Sequence, residues 1–476
     1  MSIKFGTDGW RAVISDTFTF SNLRLVAQAI ANFVWQENNA NPSVVVGFDT
    51  RFLSDRYAAE VAQVMAANGI YSWLARADTP TPAVSYAIVH KQATAGVMIT
   101  ASHNPPRYNG VKLKASFGGS ASPAQHKRVE QLLAEIQEKG EEPLKMPLDK
   151  ALAEGLIVKF DPSWAYYEHL SRLVDLDLIS SGELKVVADG MYGAGRGAFS
   201  EILARTRTKV HNIRHEMNPG FGGIHPEPIA RHLGLLMSTL QSGHWDVGLA
   251  TDGDADRIGA VDSRGNFVDP QRIFALVLRY LLQKRGWRGQ VVRTVSTTRM
   301  IDRLAARYEL AVVETPVGFN HIADLMLTGN VLMGGEESGG MSIKGHIPEG
   351  DGVLLGLLVL EVLAEARVPL AELVADLLAD VGPAEYKRTD MKLSRPVAKA
   401  AMVKFLLNEA PPAIDGVAIE RIDTVDGVKY YLADGSWLLI RPSGTEPVLR
   451  VYAEGPDSGR VKALLNFGEK MAHSEL

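Results

Sequence analysis

Three segments of the 476-residue chain repeat one pattern: a short apolar run, a loop, and then residues with helical spacing. The apolar runs lie at 44–49, 184–189 and 290–295, and a further apolar run at 311–315 follows the third helical pattern. Such strand–helix–strand units build mostly parallel sheets flanked by helices. The repetition therefore predicts an α/β protein with several related domains.

The pattern changes near residue 387, where short strands alternate with one or two helices. Asp426-Gly427 and Asp434-Gly435 are turn signals between these strands. We expect an antiparallel C-terminal domain of the α+β class. Breaks in the pattern near residues 138–147, near Asp269-Pro270 and around Val381 locate the boundaries to within several residues. We expect four domains, at residues 1–155, 156–265, 266–380 and 381–476.

The composition excludes several classes of function. The chain has no cysteine, which rules out disulfides, thiol catalysis and zinc–thiolate sites. A net charge of −5 argues against nucleic acids and anionic membranes, because both require a basic surface. The longest apolar stretch begins at Val353 and is interrupted by Glu361, so we expect a buried helix and no membrane span. The first residues lack the apolar core of a signal peptide, and we expect a cytoplasmic protein.

Two short motifs point to the chemistry. Residues 99–106, ITASHNPP, place the Ser102 hydroxyl in a loop closed by two prolines, where the chain must turn and present polar atoms. Residues 251–257, TDGDADR, offer three carboxylates at alternate positions, those of Asp252, Asp254 and Asp256. Alternate residues of an extended segment point the same way, so we expect the carboxylates to converge on a hard cation such as Mg²⁺.

Other motif classes fit less well. An EF-hand loop would need glycine and glutamate where Arg257 and Ser263 stand. The adjacent Ser102 and His103 suggest a serine hydrolase, but a triad base comes from elsewhere in the fold and the G-x-S-x-G motif is absent. The Walker motif of ATP-dependent enzymes is absent as well. A solvated acidic turn is the remaining alternative to a metal site.

Further loops carry groups suited to a phosphate or to sugar hydroxyls. Residues 441–447, RPSGTEP, offer a guanidinium, hydroxyls and backbone amides to a phosphate, although a proline-bracketed hairpin turn is the alternative. In residues 334–340, GGEESGG, Glu336 and Ser338 could face one side and bind sugar hydroxyls, although a flexible acidic turn is the alternative. Arg11 in GTDGWR and Lys112 in NGVK add cations.

Together these motifs resemble the α-D-phosphohexomutase superfamily, and most of all its bacterial phosphoglucomutase/phosphomannomutase branch. GTDGWR, TASHNPP, NGVK, DGDADR, GEESGG and RPSGTEP occur in the superfamily's order along the whole chain. The resemblance implies four domains around a central cleft, three of them α/β with mixed sheets. It also implies reversible interconversion of hexose 1-phosphate and hexose 6-phosphate through an enzyme phosphoserine and a 1,6-bisphosphate intermediate.

The resemblance further implies roles for individual residues. Ser102 would be the phosphoserine, and its phosphate would hold Mg²⁺ together with the three aspartates. His103 and Arg257 would lie near the transferring phosphoryl group, while Arg11 and Lys112 would assist proton transfer. The other residues would bind substrate: Glu336 and Ser338 at sugar hydroxyls, and Arg441, Ser443, Gly444 and Thr445 at the distal phosphate.

The choice of sugar depends on three positions. Gly340 stands where dual-specificity relatives commonly carry histidine, Asn320 where several glucose-preferring relatives carry lysine, and Thr100 where glucosamine-specific relatives usually carry serine. We expect a monomer or homodimer that prefers glucose phosphates, uses mannose phosphates less well, and takes glucose 1,6-bisphosphate as activator and intermediate. Phosphoglucosamine mutase, a non-catalytic sugar-phosphate sensor on the same fold and a Mg²⁺-dependent phosphatase with an aspartyl nucleophile are the alternatives.

Overall fold

The computed structural model describes residues 3–6, 9–38, 40–393, 398–442 and 448–473. Its first unit is a six-stranded mixed sheet with α1, α2 and α4 on one face and α3 on the other. The strands are β1 Trp10–Val13, β2 Ser43–Phe48, β3 Tyr71–Ala75, β4 Ala95–Ile99, β5 Tyr108–Ala115 and β6 Ile157–Phe160, in the order β1-β5-β4-β2-β3-β6. The helices are α1 Phe20–Glu37, α2 Ser54–Ala67, α3 Thr81–Lys91, α4 Pro123–Lys139 and α5 Leu148–Ala153.

The second unit is a five-stranded mixed sheet in the order β11-β10-β9-β7-β8. Its strands are β7 Lys185–Asp189, β8 Lys209–Ile213, β9 Val247–Thr251, β10 Ile258–Asp262 and β11 Phe267–Val268. Its α-helices are α6 Ser163–Leu173, α7 Leu176–Ser181, α8 Ala198–Leu203 and α9 Gly234–Ser242, with 3₁₀ turns at Phe221–Gly223 and Ala230–His232. Strand β7 lies between β9 and β8 and is parallel to both, as the strand–helix–strand pattern predicted.

The third unit is a four-stranded mixed sheet in the order β13-β12-β14-β15. Its strands are β12 Gln290–Thr294, β13 Val312–Thr315, β14 Val331–Gly335 and β15 Met341–Ile343. Its helices are α10 Pro270–Gln283, α11 Met300–Arg307, α12 Phe319–Thr328, α13 Gly352–Ala366 and α14 Leu370–Val381.

The C-terminal unit is a six-stranded antiparallel sheet with two helices, which confirms the α+β prediction. Both Asp-Gly pairs lie in the connections between neighbouring antiparallel strands, where Gly427 and Gly435 adopt φ of +96° and +79°. In the order β16-β21-β20-β19-β18-β17, the strands are β16 Glu385–Lys392, β21 Val448–Gly455, β20 Trp437–Pro442, β19 Val428–Leu432, β18 Val417–Asp423 and β17 Ala413–Ile414. The helices are α15 Lys399–Asn408 and α16 Ser458–His473.

The apolar stretch from Val353 is a buried helix, as predicted. This helix, α13, belongs to the largest hydrophobic core, which joins the second and third units. Glu361, which interrupts the stretch, accepts a hydrogen bond at its Oε2 from Arg285 Nη2 at 2.6 Å, so its charge is compensated inside the core. No helix in the described ranges is long and apolar enough to span a membrane.

Two strands lie just past the domain boundaries expected from the sequence. β6 is parallel to β3 of the first sheet although it begins after residue 155, and β11 pairs with β10 of the second sheet although it begins after residue 265. Backbone hydrogen bonding assigns each strand to the preceding sheet, which a pattern of composition does not reveal. We therefore propose domain boundaries a few residues later at both places.

Candidate active site

The loop that connects β4 to β5 holds Ser102 in the left-handed region, at φ +51°. This conformation is unfavourable for a residue with a Cβ, so surrounding contacts must maintain it. Arg51, buried beside the loop, supplies them from the segment after β2. Its guanidinium donates to four carbonyl oxygens of the loop and its exit: Ser102 at 2.6 Å, Asn104 at 2.7 Å, Pro105 at 2.9 Å and Tyr108 at 3.0 Å.

Asp49 and Thr100 complete the support of this loop. Asp49 Oδ2 accepts from Thr100 Oγ1 at 2.6 Å and from Arg51 Nε at 3.1 Å, and Thr100 Oγ1 in turn accepts from Ser102 N at 2.8 Å. Burial raises the pKa of Asp49 to about 6, although Arg51 opposes the shift. Asp49 and Arg51 were not predicted from the sequence. Their position directly after a strand of a parallel sheet was the available signal.

The three aspartates converge, but not along an extended segment as predicted. β9 ends at Thr251, and the chain then makes a tight turn in which Ala255 adopts φ +61° and its N–H donates to the Asp252 carbonyl at 3.2 Å. The turn brings one carboxylate oxygen from each residue within 4.8 Å of the others, and all three residues are buried: Asp252, Asp254 and Asp256.

The aspartate loop packs directly on the serine loop. A Cβ at Gly253 would lie 2.4 Å from the Ser102 carbonyl oxygen, so only glycine allows this approach. Ser102 Oγ donates to Asp252 Oδ2 at 3.0 Å. Ser102 is only 1% exposed, which the expected surface turn did not suggest, because the second unit covers it.

The aspartate cluster fits a divalent cation. Burial, followed by the charges of Asp256 and Asp254, raises the pKa of Asp252 well above its ordinary value. Asp256 Oδ1 is buried and accepts no hydrogen bond from the residues that the structure describes. Oxygen ligands with this excess of negative charge suit Mg²⁺, which prefers carboxylates.

Lys112 and Arg257 bring positive charge to the aspartates. Lys112 Nζ is buried, 2.8 Å from Asp256 Oδ2 and 2.9 Å from Asp254 Oδ2. Arg257 Nε lies 3.8 Å from Asp256 Oδ1. Burial acts to lower the pKa of Arg257, but the charges of Asp256 and Asp252 outweigh it and raise that pKa.

Arg11 and His103 also lie close to the serine loop. Arg11 Nη1 donates to Asn104 Oδ1 at 2.8 Å, and His103 Nδ1 lies 3.3 Å from Ser102 Oγ. Burial, followed by the charges of Arg257 and Arg11, lowers the pKa of His103 well below its ordinary value. The structure thus brings together the serine, the aspartates and the four basic residues singled out in the sequence.

The Glu336–Gly340 segment is a closed turn between β14 and β15. Glu336 N donates to the Gly340 carbonyl at 2.9 Å, and Glu336 Oε1 accepts from Gly318 N at 3.0 Å. Burial, followed by the charge of Glu337, raises the pKa of Glu336 to about 7. Gly340 also forms a β-bridge with Arg257, which places this turn beside the aspartate loop. Ser338 is half-buried in the same turn.

The C-terminal unit contributes Arg441 at the end of β20. Its Nε donates to Asp426 Oδ2 at 2.6 Å, whereas its Nη1 is buried without a hydrogen-bond partner among the described residues. Such a donor would be satisfied by an anionic ligand. The other predicted members of the phosphate loop, Ser443, Gly444 and Thr445, lie outside the described residues.

Arg388 on β16 was not found from the sequence, because an arginine on a strand carries no motif. Its Nη1 lies 3.7 Å from Glu337 Oε1 in the turn between β14 and β15, and its charge contributes to the lowered pKa of His103. The C-terminal unit therefore reaches the groups around Ser102.

Four family profiles match the chain in sequence order. They are those of phosphoglucomutase/phosphomannomutase: alpha/beta/alpha domain I at residues 2–140, domain II at 164–265, domain III at 269–381 and the C-terminal domain at 394–467.

The relatives carry more than one name. A phosphoglucomutase/phosphomannomutase of Thermococcus kodakarensis is 29% identical and covers 99% of both chains. A probable phosphoglucosamine mutase of Methanosphaera stadtmanae is 33% identical over 99% of this chain and 98% of its own, and several further archaeal relatives share that name. The crystal structure of a provisionally named phosphomannomutase from Thermus thermophilus superimposes with a TM-score of 0.86 at 35% identity, over 99% of each chain.

Proposed function

Because the chain belongs to the α-D-phosphohexomutase superfamily, we propose that it interconverts hexose 1-phosphates and hexose 6-phosphates through a phosphoserine at Ser102. One observation carries the proposal: the Ser102 hydroxyl from the first unit lies 3.0 Å from Asp252 of the buried aspartate cluster in the second. A nucleophile and a cation site that meet in this way suit phosphoryl transfer, which depends mainly on positioning and charge neutralisation.

The proposed cycle has two transfers. In the first, the bond between phosphorus and Ser102 Oγ breaks while a sugar hydroxyl of the hexose 1-phosphate bonds to phosphorus, and the proton of that hydroxyl passes to Ser102 Oγ. The resulting 1,6-bisphosphate reorients in the cleft. In the second, the bond between the other phosphorus and the sugar O1 breaks, Ser102 Oγ bonds to that phosphorus, its proton passes to O1, and hexose 6-phosphate leaves. Glucose 1,6-bisphosphate added from outside would load Ser102 by the second reaction.

The charged residues divide between the phosphoryl group and the proton. The aspartates and the Ser102 phosphate would hold Mg²⁺, which neutralises phosphoryl oxygens when bound. Arg257 and His103 would lie against the transferring group. Arg11 and Lys112 would assist proton transfer at the sugar hydroxyl, and the buried ammonium of Lys112 would also offset the carboxylate charge at 2.8–2.9 Å.

The two ends of the substrate would be held by different units. Glu336 and Ser338 would bind ring hydroxyls in the turn between β14 and β15. Arg441 would bind the phosphate that is not being transferred, because its Nη1 is buried without a partner in the described part of the chain. Ser443, Gly444 and Thr445 are proposed as its partners on sequence grounds. A single phosphate loop would serve both orientations of the bisphosphate.

The names of the relatives favour the glucosamine alternative over the predicted glucose preference. We therefore place glucosamine phosphate first among the substrates and glucose phosphate second. Two neighbouring glutamates, Glu336 and Glu337, suit an ammonium on the sugar as well as a hydroxyl, since a carboxylate accepts from both and binds the charged donor more strongly.

A substrate panel tests this order. With Mg²⁺ and the matching bisphosphate present, we expect kcat/KM for glucosamine 1-phosphate to exceed that for glucose 1-phosphate, and that for mannose 1-phosphate to be lowest. A site built to bind a polar group discriminates because its own groups are left unpaired by the wrong sugar. A higher kcat/KM for glucose 1-phosphate would support the glucose preference expected from the sequence. If no hexose phosphate were turned over, the proposed mutase activity would be refuted.

The pKa of Glu336 predicts a pH dependence. Burial raises this pKa from 4.5 to about 7, so the carboxylate that accepts from sugar hydroxyls is lost as the pH falls through that value. We expect kcat/KM to decline below about pH 7, because this ratio reports groups of the free enzyme.

Two variants identify the group responsible. Glu336→Gln should have a lower kcat/KM, and its decline below about pH 7 should disappear except for the titration of the substrate phosphate. In Glu337→Gln the decline should remain but begin at lower pH, since the Glu337 charge contributes to the raised pKa of Glu336. If the decline of kcat/KM below pH 7 were unchanged in Glu336→Gln, another residue would be the titrating group.

A further inference from the structure

Thr81 begins α3 in the first unit and contacts the aspartate loop of the second. Its Oγ1 donates to Asp254 Oδ2 at 2.6 Å, and its backbone N–H donates to the Asp254 carbonyl at 2.8 Å. Thr81 and Asp254 are both fully buried. One residue of the first unit therefore donates hydrogen bonds to both the main chain and the carboxylate of a predicted metal ligand.

The hydroxyl contact fixes the direction of the Asp254 carboxylate. The same oxygen, Oδ2, also lies 2.9 Å from Lys112 Nζ. Two donors from different elements of the first unit thus converge on one atom of a side chain in the second. A carboxylate held in this way has little freedom to rotate, and its orientation toward Asp252 and Asp256 is set before any ion binds.

The donor itself is held rigidly. Thr81 lies between Pro80 and Pro82 at the first turn of α3, where the prolines restrict the backbone. Its β-branched side chain has few accessible rotamers, and the surrounding core leaves it no solvent exposure. Groups that orient a metal ligand from behind commonly affect metal affinity strongly although they never touch the ion.

We propose that Thr81 is a positioning residue for the divalent cation, and that its hydroxyl sets the metal affinity by orienting Asp254. The inference rests on the proposed metal site but not on the reaction. It also implies that docking of the first unit on the second completes the site, since the hydroxyl and the carboxylate come from different sheets.

Metal titration of the full-length, chelator-treated protein tests the proposal. Thr81→Val keeps the shape and the backbone bond to the Asp254 carbonyl but removes the hydroxyl. We expect its dissociation constant for Mg²⁺, measured by calorimetry, to rise about ten-fold. Thr81→Ser restores a hydroxyl and should bind close to wild type. Thr81→Ala replaces the valine variant if valine does not fold.

Thr79→Val is the matched control. Thr79 is equally buried two residues earlier, but its hydroxyl donates to the Ala77 carbonyl and not to the aspartates. It should bind Mg²⁺ close to wild type. The thermal midpoint in chelator separates a loss of fold from a loss of affinity, because only the metal-induced rise in the midpoint should shrink in Thr81→Val.

Outcomes of three kinds would overturn the inference. Wild-type affinity in a folded Thr81→Val or Thr81→Ala would show that the hydroxyl does not set the site. An equal loss in Thr79→Val, or no recovery in Thr81→Ser, would show that any buried change here is sufficient. If wild-type protein itself bound no Mg²⁺, the proposed metal site would fail together with this inference, a result distinguishable from the first two.

Discussion

Replacement of Ser102 by alanine is expected to lower kcat by about 10⁴-fold or more, because the covalent acceptor of the phosphoryl group is lost. The change removes the hydroxyl that donates to Asp252 Oδ2 at 3.0 Å, and it leaves the Arg51 bonds to the loop carbonyls in place. The fold of the loop should therefore persist. Initial rates in both directions, with bisphosphate present, measure the effect.

Ser85→Ala is the control for this prediction. Ser85 is also fully buried, in α3, and its hydroxyl has no hydrogen-bond partner among the residues described. Its removal should leave turnover close to wild type. Near-normal turnover in Ser102→Ala would end the phosphoserine mechanism.

Removal of the metal is expected to have the second-largest effect. Excess chelator should abolish turnover and added Mg²⁺ should restore it. Without the metal ion, the negative charges of the three buried carboxylates and of the transferring phosphoryl group are not neutralised. Asp254→Asn should weaken Mg²⁺ binding about ten-fold or more, since a neutral amide oxygen replaces a charged ligand. Calorimetry on the chelator-treated protein measures the affinity, and turnover against Mg²⁺ concentration should show the same shift.

Asp262→Asn provides the comparison for the metal prediction. Asp262 is buried on β10, just beyond the aspartate loop, and its oxygens accept from Arg264 and Asn266. The Asp262→Asn substitution should lower the free energy of unfolding but leave the Mg²⁺ affinity unchanged. Full turnover in excess chelator, or equal weakening in both variants, would contradict a specific metal site at Asp254.

The architecture could be predicted from local patterns. The apolar runs at 44–49, 184–189 and 290–295 form parallel strands. Such strands are buried on both faces of the sheet, so their sequences are continuous apolar runs that can be recognised. The Asp-Gly pairs marked hairpins because glycine adopts the positive φ found there. Both features depend on residues that are close in sequence, which is why the chain reveals them.

The shape of the aspartate loop could not be predicted in this way. Alternate spacing suggested an extended segment, whereas Ala255 lies at φ +61° and the chain turns. Contacts with other units impose the turn. Gly253 packs on the Ser102 carbonyl of the first unit, and Gly352 of the third unit packs so closely that a Cβ there would lie 2.1 Å from the Arg257 carbonyl oxygen. The three carboxylates still converge, but through tertiary contacts with two other units.

The residues that support the site from other elements could not be predicted from the sequence, for a related reason. Arg51 acts on carbonyl oxygens at 102–108, Thr81 on a carboxylate 173 residues away, and Arg388 on the turn between β14 and β15. None forms a motif, because each is defined by a partner far along the chain. We expect the same of the choice of sugar, because the residues proposed to bind the substrate come from more than one unit.

Mapping the site of phosphorylation determines whether Ser102 carries the transferring phosphoryl group. The full-length protein is incubated with glucose 1,6-bisphosphate and Mg²⁺, digested, and its phosphopeptides are sequenced by mass spectrometry. We predict one phosphate, on Ser102, that is absent from Ser102→Ala. When this phosphate carries an isotopic label and free bisphosphate has been removed, the label should pass to hexose phosphate as glucose 1-phosphate turns over. Phosphate on an aspartate, or a label on Ser102 that no hexose phosphate takes up, would contradict the phosphoserine mechanism.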